Sequence, residues 1–473
     1  MTRKFALPLC LIGSAIPLIA QTSERPNVIF ILADDLGYGD LGCYGQKIIE
    51  TPHIDALAER GMRFTDFYAG CTVSAPSRAS LMTGRHTGHT KIRGNKEIQP
   101  EGQMSMADVP TLASLFQSSG YATGLFGKWG LGAPGAGAEP LDRGFDRFYG
   151  YNCQRVSHYY YPKHLWADRS RVTLPENEGR RQSTYAPDLI QQDAKFFIQK
   201  SVRAGKPFMA MMTYTLPHAE LNLPHRALYQ YYRGRVEPRP WQSQYTGDYP
   251  NTPDAHASFA AMVGQLDLYV GDLVQELKAL GVEDNTLIVF TSDNGPHREG
   301  GANPEYFDSN GPLRGTKRDL YEGGIRVPMI VSWPGRIQPK TETSTPAAFW
   351  DFLPTFAEML KQPKLVEQTD GVSLVGLWTG QSDRPTNTRP LYWEFHEEGG
   401  KIAIRQGVWK LIALQVDSGQ PQYELYRLDS DLGEQNNVAD KHPKVVRRLS
   451  KLMKQMHQSS ADFPFKSAVK QEE

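Results

Sequence analysis

The sequence predicts an α/β protein, a sandwich of helices around one large and mostly parallel sheet, followed by a smaller C-terminal subdomain with an antiparallel sheet and a helix. Three observations carry that expectation. The runs "NVIFILADD" and "TLIVFTSDNG" are continuously apolar, as in strands buried on both faces, and each ends in acids or amides at its carboxyl end. Helical and strand patterns alternate up to about residue 365, the mark of a parallel sheet with crossover helices. Past "SDRPTNTRP" the texture changes to short alternating strands.

Taken in order, Arg3 and Lys4 precede an apolar run from Phe5 to Ala20 that turns abruptly polar. This reads as a secretory signal peptide over 1–20, cut after Ala20, so the mature protein is expected to be exported, periplasmic or secreted. Pro8, Gly13 and Pro17 break the run, which is too short for a membrane span. Cys10 would suggest lipidation, but only five apolar residues precede it. The first acid-ended strand follows. After Asp254, Phe259, Met262, Val263, Leu266, Val270, Leu273, Val274 and Leu277 recur at helical steps, and Gly281 ends the pattern. The second acid-ended strand comes next. "LYWEFH", "KIAIRQ", "VWKLIAL" and "YELYRLD" predict the antiparallel strands, with a helix from about His442 to Met456. These patterns divide the chain into a main domain over 21–370 and a C-terminal subdomain over 371–473.

Composition narrows the partners. With 473 residues and 40% hydrophobic content the chain can bury a large core, while Lys+Arg and Asp+Glu balance at 52 each. No global field draws it to nucleic acid or to an anionic membrane, so a charged ligand must be held locally. Once Cys10 is removed, Cys43, Cys71 and Cys153 allow at most one disulfide.

Ligands of open α/β sheets bind outside the carboxyl ends of the strands. Asp34 and Asp35 end one strand and Asp293 and Asn294 another, so four oxygen donors can meet at one place. Such a set suits Ca²⁺, or less well Mg²⁺, rather than zinc; each acid could instead cap its own turn.

The stretch "SAPSRASLMTGR" sharpens the reading. It matches (Cys or Ser)-x-Pro-x-Arg followed by Leu-x-Thr-Gly-Arg across Ser74, Pro76, Ser77, Arg78, Leu81, Thr83, Gly84 and Arg85. A Ser-capped helix with Pro in its first turn would explain the start of this stretch but not Arg78 or Thr83-Gly84-Arg85. The chain thus resembles the type I, formylglycine-dependent sulfatases of the alkaline-phosphatase-like superfamily, and among them bacterial arylsulfatase and N-acetylgalactosamine-sulfatase-like enzymes. The resemblance implies that Ser74 is oxidised to formylglycine (3-oxoalanine) by a serine-competent maturase. It also implies that 21–370 is the catalytic domain, and that Asp34, Asp35, Asp293 and Asn294 hold one cation together with residue 74. "GKWGLG" supplies Lys128, "TLPHAE" supplies His218 and "RGTKRDLYEGGIRVP" supplies Lys317.

These residue types fit a hard chemical problem. A sulfate monoester hydrolyses very slowly, and a serine sulfated once would remain a stable ester. A hydrated aldehyde offers two hydroxyls on one carbon, one to attack sulfur and one to lose its proton later and expel sulfate, so a covalent route divides one hard step into two. Arg78, Lys128, Lys317 and the cation would neutralise sulfate oxygens, and His218, with Lys317, would protonate the leaving sugar oxygen. One position departs from the family: the motif Gly-Lys-Trp-His-Leu-Gly has a histidine where this chain has Gly130. His86, His89, His158 and His164 are candidate substitutes. A phosphodiesterase or phosphonate hydrolase of the same superfamily, or a non-catalytic glycan-binding homologue, are the alternatives. Clusters such as "HYYYPKHLW" fit sugar stacking, and the expected substrate is a sulfated galactose or N-acetylgalactosamine residue of a carbohydrate.

Overall fold

The computed structural model describes residues 25–223, 226–244, 249–381 and 388–466; the leader expected at 1–20, with Cys10, lies outside them. A ten-stranded sheet forms the centre. Its middle strand, Asn27–Ala33, pairs in parallel with Phe208–Thr213 on one side and Thr286–Ser292 on the other. Ala122–Lys128 continues the sheet in parallel between Phe208–Thr213 and Arg147–Tyr151. Met329–Ser332 runs antiparallel against Thr286–Ser292, which makes the sheet mixed.

The uninterrupted apolar runs are explained by burial on both faces. Ile29, Ile31 and Ala33 pack on the side of the helix Ala255–Ala279, whereas Val28, Phe30 and Leu32 pack on the side of the helices Ser74–Thr83 and Leu112–Ser118. Full burial of such side chains contributes about 1.5–3 kcal/mol each. The long helix begins where the sequence places it, with the Asp254 carboxylate accepting from the Ala257 N–H at 3.1 Å.

Register then positions the chemistry. Ala33 lies opposite Ser292, Leu32 opposite Thr213, and Gly127 opposite Thr213. The strands stop at one level, so Asp34 and Asp293 leave neighbouring strands side by side and Lys128 ends the strand on the far side of Phe208–Thr213.

The C-terminal sheet runs Pro390–Phe395, Lys401–Gln406, Trp409–Leu414 and Gln422–Arg427, all antiparallel. One face, with Ile404 and Leu411, holds Leu449 and Met453 of the helix Pro443–Met456. The other, with Trp393 and Ile412, packs on Tyr68, Val73, Ile325 and Trp350 of the main body. The fully buried Lys410 ammonium crosses that junction, 2.9 Å from both Glu322 and Glu434. Cys43, Cys71 and Cys153 are free. Among the described residues no helix is long and apolar enough to cross a membrane.

Candidate active site

The site begins with the helix Ser74–Thr83, every residue of which is buried. Gly84, at φ 66°, closes it through an N–H bond to Ser80 O, which accounts for the glycine in the motif. The serine cap that would explain the start of this stretch is absent: Val73 is the N-cap, and Ser74 is the first helical residue. Its hydroxyl instead donates to Asp34 Oδ1 at 3.2 Å and accepts from Lys128 Nζ at 3.3 Å. The unpaired N–H groups of a helix start favour negative charge beside it. Ser77 ties the helix to the sheet by donating to Asp293 O at 2.5 Å and accepting from Gly70 N–H at 3.0 Å.

Asp34, Asp35, Asp293 and Asn294 come together fully buried, and of the four only Asn294 bonds to the backbone after it, donating from Nδ2 to Gly295 O at 2.9 Å. Asp293 Oδ1 accepts from the Asp35 N–H at 3.1 Å, and Asn294 Nδ2 donates to Asp35 Oδ1 at 2.7 Å. Lys128 Nζ lies 2.7 Å from Asp34 Oδ2, Lys317 Nζ 2.8 Å from Asp35 Oδ2, and Arg78 Nε 3.0 Å from Asp293 Oδ2. Three carboxylates thus face three cations. Asn294 Oδ1 is buried without a hydrogen-bond partner, an orphaned acceptor among carboxylates, and the all-oxygen set fits a hard divalent cation. Such an ion would turn a balanced cluster positive, as an anionic ester requires. Arg78 Nη2 sits 2.9 Å from Asp293 Oδ2 yet is not aligned for a hydrogen bond there, which leaves its protons for an incoming oxygen.

His218 is buried beside this cluster. Its Nδ1 proton is held by Ala219 O, so the neutral ring turns an accepting Nε2 toward Lys317 Nζ at 3.1 Å. Burial first, and Lys317 second, lower its pKa to about 3. Burial opposes the charge of Lys317, but Asp35 and Glu299 more than compensate and hold the ammonium above its ordinary range. The resting pair is therefore neutral imidazole and charged lysine.

The structure adds residues that the motifs did not mark. Glu299 accepts from Lys317 Nζ at 3.2 Å and from Arg318 Nη1 at 2.7 Å. Burial would raise its carboxyl, but Lys317 and His218 keep it well below the ordinary range. Tyr249 donates to Glu299 Oε2 at 3.2 Å and lies 3.3 Å from His158 Nδ1. His158 stacks on His218 with ring centroids 4.3 Å apart, and His297 stacks on it with centroids 5.5 Å apart. Glu299 had one faint signal, a carboxylate in the loop leaving an acid-ended strand.

Of the four substitute histidines, only His158 belongs to this centre. His86 and His89 stand together at Asp370, and His164 pairs with Glu101 at 2.9 Å. The space beside Gly130 is taken by Gln154: a Cβ on Gly130 would lie 2.2 Å from Gln154 Nε2. Gly130 itself has φ 70°, a left-handed conformation that favours glycine.

Comparison with known proteins identifies the family. The family model described as Sulfatase matches residues 26–362, and that described as N-sulphoglucosamine sulphohydrolase, C-terminal, matches residues 315–461. An N-acetylgalactosamine-6-O-sulfatase of Bacteroides thetaiotaomicron is 30% identical, over 92% of this chain and 93% of that protein. Arylsulfatase A of Homo sapiens is 31% identical, over 91% of this chain and 87% of its own. Among solved structures, that of Ps i-CgsB in complex with k-i-k-neocarrahexaose superposes with a TM-score of 0.78 at 28% identity, covering 94% of this chain and 96% of that one.

Proposed function

Because the chain belongs to the sulfatase family and hydrolyses sulfate esters, we propose that it removes sulfate from a galactose or N-acetylgalactosamine unit of a carbohydrate, using Ser74 matured to formylglycine and one Ca²⁺. The observation that carries this reading is the place of Ser74. Its hydroxyl lies between Asp34 and Lys128 at the start of a helix, with the unaligned Nη2 of Arg78 in the same charge cluster. The N-acetylgalactosamine-6-O-sulfatase relative supports the choice of sugar.

Asp34, Asp35, Asp293 and Asn294 would hold the ion. The cation would supply positive charge at the sulfate oxygens, and the aldehyde hydrate of residue 74 the attacking oxygen. Lys128, 3.3 Å from the Ser74 hydroxyl, lowers the cost of negative charge on that oxygen. Arg78 turns its free N–H groups toward an anion and is fixed through Nε and Nη1 to Asp293 and Lys128 O. Lys317 and His218 share a proton between Nζ and Nε2 and deliver it to the departing sugar oxygen, while Glu299 and Arg318 hold Lys317 in place.

A serine-competent maturase would carry out the oxidation, since position 74 has no thiol. Mass spectrometry of the Ser74 peptide tests the proposal: maturation removes two hydrogens, and sulfate release from sulfated galactose and N-acetylgalactosamine should rise with the modified fraction. Full turnover by protein whose Ser74 is entirely unmodified would refute it.

A further inference from the structure

We propose that the cleft lined by Tyr159, Tyr161, Lys163, Arg181 and Glu220 is a second sugar site, which holds the neighbouring unit of an oligosaccharide substrate and reads an anionic substituent on it. This rests on the carbohydrate reading above. The cleft encloses about 530 Å³, within the roughly 300–1,000 Å³ usual for small-ligand sites.

Three chain segments join it directly to the proton-delivering pair. Tyr159 follows His158, whose ring stacks on His218. Glu220 lies two residues after His218, and its N–H donates to His158 O at 3.3 Å. Pro250, also in the lining, follows Tyr249, whose hydroxyl faces His158 Nδ1. A sugar whose oxygen departs beside His218 therefore has this cleft as its continuation.

The lining has the chemistry of an acidic saccharide site. Tyr159 exposes 48% of its surface, unusual for an aromatic beside a catalytic centre, and Tyr161 borders the same space. Glu220, only 9% exposed, adds a carboxylate to the lining, whose Oε1 already accepts from Asn222 Nδ2 at 3.4 Å. The cations are distinctive. Arg147, Arg155, Arg169 and Arg171 nearby are each paired with a carboxylate. Arg181 donates to the Glu178 and Pro175 carbonyls, at 3.0 and 3.2 Å, and Lys163 has no ion pair among the described residues. Two cations that make no ion pair among the described residues, against the single carboxylate of Glu220, leave the aromatic cleft net positive and match a sulfate ester or a uronate on the adjoining sugar.

The test compares disaccharides that share one scissile sulfated unit and carry, on the adjoining sugar, no charge, a second sulfate, or a carboxylate, alongside an activated aryl sulfate. Wild-type kcat/KM should be at least tenfold higher on one charged disaccharide than on the neutral one, mainly through KM, and the better of the two identifies the anion. Lys163→Gln/Arg181→Gln should reduce kcat/KM on that disaccharide at least tenfold more than on the aryl sulfate, and Tyr159→Ala should raise KM for all three disaccharides. Equal wild-type rates on charged and neutral disaccharides, or a charge preference that survives the double substitution, would overturn the proposal. The aryl sulfate reports separately on the sulfatase chemistry. Should no sugar sulfate be turned over, calorimetric binding of the same disaccharides to Ser74→Ala decides the matter: tenfold tighter binding of a charged one supports the cleft, and equal binding overturns it.

Discussion

Restoring a histidine at Gly130 should fail on its own, and the structure says by how much. Gly130 has φ 70°, where an L residue costs about 1–2 kcal/mol. Its Cβ would also lie 2.2 Å from Gln154 Nε2 and 2.9 Å from Cδ, with Gln154 only 7% exposed. Forcing that side chain aside adds the cost of overpacking, about 1–3 kcal/mol. The sum, about 2–5 kcal/mol, is a large part of the roughly 5–15 kcal/mol by which folded proteins are stable. Urea unfolding of Gly130→Ala and Gly130→His, each with Gln154 and with Gln154→Ala, separates the two contributions. Removing Gln154 should recover the steric part, a coupling of about 1–3 kcal/mol, and leave the backbone part behind. A Gly130→His protein as stable as wild type, or a Gln154→Ala cost identical in both backgrounds, would refute the reasoning. Only in the double variant does the imidazole have room to act on sulfate release, and pre-steady-state kinetics on that protein would show it.

His218→Ala should lower turnover of sugar sulfates by roughly 10²–10⁴ and spare activated aryl sulfates, whose phenolates leave without a proton; equal losses on both would take it out of proton delivery and leave Lys317 alone there. Asp293→Ala should reduce bound calcium, measured by elemental analysis, together with turnover, and Asp293→Asn provides the check that Arg78 is not simply left unpaired in the core. Undiminished calcium in both variants counts against the ligand set. Burial pushes the Asp40 carboxyl up to about 7 from 3.8, so the folded protein keeps a proton that the unfolded chain has lost. Stability should therefore fall as pH rises between roughly 4 and 7, by up to about 1.4 kcal/mol per unit. Asp40→Asn should flatten that slope in urea midpoints taken across the window, and an unchanged slope would contradict it.

Much of this centre was legible because the sheet is regular. An apolar run that empties into acids announces both a strand and the end at which ligands gather, so Asp34, Asp35, Asp293 and Asn294 could be grouped across more than 250 residues before any fold was known. Lys128, His218 and Lys317 were legible only through motifs, since a lone lysine or histidine has no periodicity to betray it. Ser74 was read as a possible cap, and the structure moves it one position into the helix, because Val73 already supplies the extended residue at which the chain enters. His158, until then one of four candidate histidines, Tyr249 and Glu299 gather at His218 from three irregular connections between the main elements. Loop conformations depend on what packs beneath them, which no local pattern records. Gln154 escaped for a similar reason: its meaning lies in the absence of a side chain at Gly130, visible only when the two strands that precede them stand side by side.

The flush strand ends have an evolutionary consequence. Asp34, Lys128 and Asp293 leave paired strands whose register is locked on both sides, whereas Tyr159, Lys163, Arg181 and Glu220 sit on connections between elements. Insertions or exchanges in those connections can change which glycan is recognised while the bond-breaking apparatus stays where the sheet holds it. A library confined to Tyr159, Tyr161, Lys163, Arg181, Gln182 and Glu220 would explore new sulfated glycans without touching the strand ends or the buried Tyr160 hydroxyl, which donates to His218 O at 2.7 Å. Variation at Ala33, Gly127 or Ser292 would shift the reacting groups themselves and should yield almost only inactive proteins. Innovation in such a protein is cheap at the rim and nearly forbidden a few ångströms below it.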